Sequence, residues 1–178
     1  MPVYIAMLRA VNVGGNPLKM EQLREWCAEL GWENVRTYVQ SGNLVFQTRA
    51  AIPKWQAALE QKLAAEMKRS VPVIGRTPAD LERVIDANPF LSERGIDTTR
   101  LHVTFLATAP APAPIEGLGS LKAGGDRFAV RGREVYLHCP SGYGETKLSN
   151  AVFEKALSVK ATTRNWNTVN KLLEMANG

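Results

Sequence analysis

The chain opens on a nearly continuous apolar run, Val3 to Leu8, containing the β-branched and aromatic residues of a buried central strand. The run breaks at Arg9 into a polar stretch that reaches Gly14-Gly15-Asn16-Pro17. Apolar positions then recur at helical spacing, Met20, Leu23, Trp26, Cys27 and Leu30. Asn16 followed by Pro17 predicts the start of this helix, and Gly31 its stop. Val35 to Gln40 and Leu44 to Thr48 read as two strands joined through Ser41-Gly42-Asn43. Pro53 opens a second helix with the stripe Trp55, Leu59, Leu63 and Met67, and Val71 to Ile74 returns as a strand.

The order β-α-β-β-α-β within residues 1–76 is the split pattern of a ferredoxin-like unit. Right-handed crossovers make its first two strands run toward the same sheet end. The loop Arg9 to Asn16 and the turn Gln40 to Asn43 are therefore expected side by side.

Thr77-Pro78 predicts a short capped helix with Leu81, Val84 and Ile85 inward and Asp80, Glu82 and Asp86 on an exposed face. Asn88-Pro89 ends it, and residues 88–100 read as an irregular connection. Leu101 to Ala107 is a strand, and Pro110, Pro112 and Pro114 alternating with alanine predict a stiff spacer before a brief helix over 115–121. Phe128 to Val130 and Val135 to Cys139 form a hairpin across Arg131-Gly132-Arg133. Helices are expected over 147–157 and 166–176. The fold class is thus α+β, two ferredoxin-like βαββαβ-type halves with antiparallel sheets plus a C-terminal helix. The expected divisions are 1–76, a connecting segment 77–100, and a second half 101–178.

Composition narrows the function classes. At 178 residues, 45% hydrophobic and 22% charged, the chain builds a core without staples. Two cysteines, without metal-type spacing, read as free thiols of a reducing compartment. The N-terminus enters a strand pattern at once and reaches Arg9 too early for a signal peptide, and no apolar run is long enough for a membrane span. A cytoplasmic location without membrane partners is expected. The net charge of +5 favours anionic partners, although the basic residues are spread along the chain without a tract.

Several motifs in order carry a resemblance. They are Leu8-Arg9 with Asn12-Val13-Gly14-Gly15, Lys19-Met20 with Leu23, Gly31, Val35-Arg36-Thr37-Tyr38 with Gln40-Ser41-Gly42-Asn43, and Phe46. Lys147-Leu148, Glu154-Lys155 and Ala161 to Trp166 extend them toward the C-terminus. On these residues the chain resembles, over nearly its whole length, the bacterial family of domain of unknown function 1697. The resemblance implies two α+β subdomains of ferredoxin-like character. The family commonly has Arg-Gly-Ile-Asn where this chain has Arg9-Ala10-Val11-Asn12, which implies that position 10 needs no positive φ here. It also has Ser-Lys-Leu where this chain has Thr146-Lys147-Leu148.

Chemistry concentrates at glycine-bearing loops. Gly14 and Gly15 before a helix leave backbone N–H groups accessible to an anion, flanked by Arg9 and Lys19, although a tight strand-to-helix turn with Asn12 bonding backbone needs the same residues. Gln40, Ser41 and Asn43 add amide and hydroxyl groups at the same sheet end, beyond what a hairpin needs. The loop from Cys139 to Lys147 has two glycines and a lysine but lacks the contiguous Gly-Lys-Ser/Thr of a phosphate loop. Thr163 or Asn165 would cap the last helix, leaving Arg164 at a helix start, where a cation needs an anionic partner.

Catalytic signals are weak. Cys139 and His138 are adjacent on a strand and point to opposite faces, and no paired carboxylates, metal constellation or cofactor motif stands out. Val3 to Leu8 superficially resembles the first RNA-binding strand of an RRM domain, but Leu44 to Thr48 lacks the partner motif. The leading reading is a protein binding a phosphate- or carboxylate-bearing small ligand in a basic polar cleft. Its lining would be Arg9, Asn12, Gly14, Gly15, Lys19, Gln40, Ser41, Asn43, Lys147, Arg164 and Asn165. The alternatives are sequence-nonspecific nucleic-acid binding and an enzyme acting on a phosphorylated metabolite.

Overall fold

The structure is a computed structural model that describes residues 1–11, 17–121 and 123–178. It forms two compact units, Met1–Glu82 with Lys171–Gly178, and Arg83–Asn170.

The first unit contains β1 (Val3–Leu8), α1 (Met20–Glu29), β2 (Glu33–Tyr38), β3 (Asn43–Gln47), α2 (Ile52–Met67) and β4 (Val73–Arg76). The sheet is antiparallel with order β2-β3-β1-β4, the ferredoxin-like arrangement. Its apolar strand residues alternate between two faces. Ala6, Leu8, Leu44, Phe46 and Val73 join Leu23, Trp26, Leu59 and Leu63 of the two helices in one core. Trp32 stacks on Phe46 at 4.0 Å between ring centroids, and Trp55 meets Phe46 edge-on at 4.9 Å. On the opposite face Ile5, Met7, Val45 and Ile74 are also at most 1% exposed.

One helix boundary differs from expectation for a local reason. α1 starts at Met20, with extended Lys19 as its N-cap, because Leu18 is drawn into the core first. Its C-terminal stop is the expected one, Gly31 at φ +80°. α2 runs from Ile52 to Met67, with Pro53 in its first turn as expected, and its C-cap Lys68 takes φ +57°.

α3 (Pro78–Asp86) follows β4 and spans the unit boundary. Thr77 and Asp80 cap it reciprocally, the Thr77 N–H donating to the Asp80 carboxylate and the Asp80 N–H to Thr77 Oγ1. Asp80 is therefore buried rather than part of an exposed acidic face.

The second unit holds β5 (Leu101–Leu106), α4 (Pro112–Gly117), β6 (Arg127–Arg131), β7 (Glu134–His138), α5 (Asn150–Leu157) and β8 (Ala161–Asn165). Its antiparallel sheet has order β6-β7-β5-β8, the same arrangement. Leu106, Val135, Leu137 and Cys139 pack with Leu148 and Phe153. The spacer of alternating prolines is helical from Pro112, since proline suits the first turn of a helix. β8 is a strand where the sequence suggests only the approach to a helix. Thr162 and Arg164 alternate with Ala161 and Thr163 across the sheet, a period that threonine and arginine do not reveal by hydropathy. α6 (Trp166–Asn177) closes the chain, and its last turn is held in the first unit by Arg36 Nη2 donating to the Met175 carbonyl at 2.6 Å.

Candidate functional site

In the first unit the backbone joins the two loops that the topology places together. Leu8 N–H donates to the Gly42 carbonyl at 2.9 Å, and Arg9 N–H to the Pro72 carbonyl at 3.0 Å. A Cβ at Gly42 would lie 2.8 Å from Val11 and 2.9 Å from Leu8, so only glycine lets the turn approach the loop this closely, and its φ of +82° favours glycine as well. The turn Val39 to Gly42 thus lies directly against the exit of β1, with Gln40 and Ser41 exposed on it and Arg9 half-buried beside it. Asn12, Gly14 and Gly15, the centre of the expected anion cradle, lie outside the described residues. α1 begins five positions after Gly15, so the glycine pair does not directly precede a helix N-terminus.

Two backbone conformations here are costly. Ala10 takes φ +57° and Val39 φ +51°, the left-handed region that a side chain disfavours and a β-branched one especially. The expectation that position 10 needs no positive φ is therefore wrong: the conformation persists without the glycine. Ala10 is held there because Arg69 Nη2 donates to the Ala10 carbonyl at 3.1 Å and to that of Val11 at 3.3 Å. Arg69 is a cation of this region that spacing alone misses, since it lies just beyond α2 in a segment without periodicity.

The individual candidates fall into different roles. Asn43 is fully buried at the start of β3, and its amide donates to the Tyr38 carbonyl and to Ser41 Oγ, both at 2.9 Å, so it shapes the turn from within. Lys19 is exposed at the N-cap of α1, on a groove of about 310 Å³ with Gln22, Trp26 and Met67. In the second unit Lys147 is exposed and precedes α5, whose N-cap is Ser149 accepting from Val152 N–H. Asn165 caps α6 by accepting from Thr168 N–H at 2.8 Å, one of the two caps expected there.

Arg164 is not at a helix start but inside β8, with only 6% of its surface exposed. Its Nη1 donates to Thr162 Oγ1 at 2.7 Å and to the Thr163 carbonyl at 2.9 Å. Burial pushes its pKa down to about 10, which leaves it charged at neutral pH.

The thiols are unsuited to nucleophilic chemistry. Burial pushes Cys27 up to about 12, and burial likewise raises Cys139. His138 contacts Arg127 and the Phe90 ring, whereas Cys139 faces the helical core, as alternation on a strand requires. Among the described residues no group of three His, Cys, Asp or Glu could hold a metal ion, and no helix is long and apolar enough to cross a membrane.

A solved structure described as conserved bacterial protein SP0830 from Streptococcus pneumoniae is similar, at 24% identity and a TM-score of 0.77. The alignment covers 100% of this chain and 99% of that one, which shows the shared fold. No curated protein matches. The model of the family described as "Protein of unknown function (DUF1697)" matches residues 1–136, thus including the Arg9 and Gln40 motifs but not the motifs from Lys147 onward. That match spans most of the sequence, and the chain belongs to the DUF1697 family.

Proposed function

We propose that the first unit binds a phosphate- or carboxylate-bearing small molecule at the sheet end where the exit of β1 meets the turn Val39 to Gly42. One observation carries this reading. Two neighbouring loops hold non-glycine residues, Ala10 and Val39, in the left-handed region. Such strain costs on the order of 1–3 kcal/mol per residue and concentrates at ligand sites. Chemistry supports it. Arg9 supplies a guanidinium, Gln40 and Ser41 supply donors, and Arg69 adds positive charge from behind the loop. Lys19, Asn12, Gly14 and Gly15 complete the reading as the residues of the intervening segment and its exit.

Nucleic-acid binding of the RRM type is disfavoured. Ile5, Met7, Val45 and Ile74, on the sheet face where bases would stack, are buried. An amide-resolved NMR titration with inorganic phosphate tests the proposal. Saturable shifts at residues 8–11 and 39–42 that vanish in Arg9→Ala are expected. Shifts absent from both loops would overturn it.

A further inference from the structure

The segment 88–100 is irregular but ordered by its own hydrogen bonds. Asn88 Oδ1 accepts from Phe90 N–H at 3.0 Å, and Glu93 N–H donates to the Phe90 carbonyl at 3.1 Å. Asp97 Oδ1 accepts from Thr99 N–H at 3.0 Å and Thr99 Oγ1 at 2.6 Å. A short 3-10 helix over Thr98–Arg100 then leads into β5. The segment, with Arg100 at its end, walls a groove of about 480 Å³ within the second unit, into which β6 and β7 contribute Arg127 and His138.

The charges of the groove divide into two sets. Glu93 is committed to Arg127 through two parallel bonds of 2.8 Å, and Arg127 lies over the Phe90 ring at 5.0 Å. That same guanidinium bond holds the Glu93 carboxyl below its ordinary range. Asp97 is committed to the Thr99 turn. The guanidinium groups of Arg94 and Arg100 are both exposed on the groove, Arg100 near enough to Asp97 that its charge, after the Thr99 hydrogen bonds, helps hold that carboxyl below its ordinary range.

His138 adds a donor. Arg127 Nη2 lies 3.0 Å from His138 Nδ1, and a guanidinium can only donate, so Nδ1 accepts and the imidazole proton sits on Nε2.

We propose that this groove is a second binding site, independent of the first unit's loops, for the terminal phosphate of a small phosphorylated metabolite, held by Arg94 and Arg100 with the His138 Nε2–H donor. Two guanidinium groups and a neutral donor match the charge and three terminal oxygens of a phosphomonoester. A single carboxylate is satisfied by one bidentate arginine. A phosphodiester in a nucleic-acid backbone carries one charge and two unbridged oxygens, so a terminal phosphate is the better match to this donor set.

The test is an amide-resolved NMR titration of the full chain with inorganic phosphate, adenosine monophosphate and a short oligodeoxythymidylate. Saturable shifts at residues 93–100 with the two small phosphates are expected. Arg94→Gln and Arg100→Gln should each weaken binding about tenfold or more, the worth of one charge-assisted hydrogen bond. Arg131→Gln removes an equal charge outside the groove and should leave affinity unchanged, with thermal melts confirming that each variant is folded. Shifts confined to residues 8–11 and 39–42 would overturn this site while supporting the first. Equal losses in Arg131→Gln, or tighter binding of the oligonucleotide, would overturn it in favour of nonspecific charge.

Discussion

The last strands of the two units carry the same device in different chemistry. In β4, Arg76 pairs with Ile5 of β1, and in β8, Arg164 pairs with Val103 of β5. Each arginine lies opposite the third residue of its unit's central strand, each is buried, and each donates Nη1 to the carbonyl of the residue before it at 2.9 Å. The next residue then caps a helix, Thr77 for α3 and Asn165 for α6.

One position earlier the units part. Gly75 lies opposite Ala6, and a Cβ there would come within 2.5 Å of the Trp55 ring. At the matching place Thr163 lies opposite Thr104. Thr163 Oγ1 donates to Asn150 Oδ1 at 2.6 Å, so Thr104 supplies the proton of the 2.7 Å bond between the two hydroxyls. A large ring over two small residues in one unit thus corresponds to a hydrogen-bond chain in the other. Strand register and backbone demand are shared, whereas side-chain chemistry is not.

Breaking the shared device should cost most. Arg76→Ala and Arg164→Ala should each destabilise by about 3 kcal/mol or more, through a cavity and orphaned acceptors, as read by urea denaturation. A loss in one variant only would end the equivalence. Gly75→Ala should cost about 2 kcal/mol by overpacking against Trp55. Thr163→Val, of nearly equal volume, should cost about 1–2 kcal/mol by breaking the hydroxyl chain. If Thr163→Val proves neutral, the second unit does not depend on polar packing at that place.

Smaller effects separate the sheet end from the cores. Ala10→Gly should stabilise by roughly 1 kcal/mol, because glycine accepts positive φ without a Cβ clash. An unchanged melting temperature would mean that Arg69 already absorbs the strain. Each unit buries one cysteine, and neither should react with a thiol reagent at neutral pH until the chain is unfolded. For Cys27 the folded pKa is raised from 9.0 to about 12. Its contribution to stability is therefore complete below pH 9.0 and is lost as pH rises toward about 12. Measuring stability of Cys27→Ala against the parent chain across that window checks the sign.

Alternating and helical apolar periods determine most of this fold by themselves. Val3 to Leu8, the stripe of α2 and the hairpin of β6 and β7 declare themselves because their burial is written in hydropathy, as a continuous apolar run, a helical stripe and two short apolar runs about a glycine turn. The neighbourhood of the Arg9 loop and the Gly42 turn also follows from connection handedness alone. Tertiary structure decided the rest. β8 is polar by composition and becomes a strand because β5 pairs with it, and Asp80 and Asn43 are spent as caps and turn braces that a polar residue's identity does not announce. Ala10 takes a glycine's conformation because Arg69, nearly sixty positions away, grips its carbonyl. The groove walled by residues 93–97 brings Arg94 and Arg100 together with Arg127 of β6 and His138 of β7, and hydrogen bonding among distant polar groups carries no period that a sequence can display.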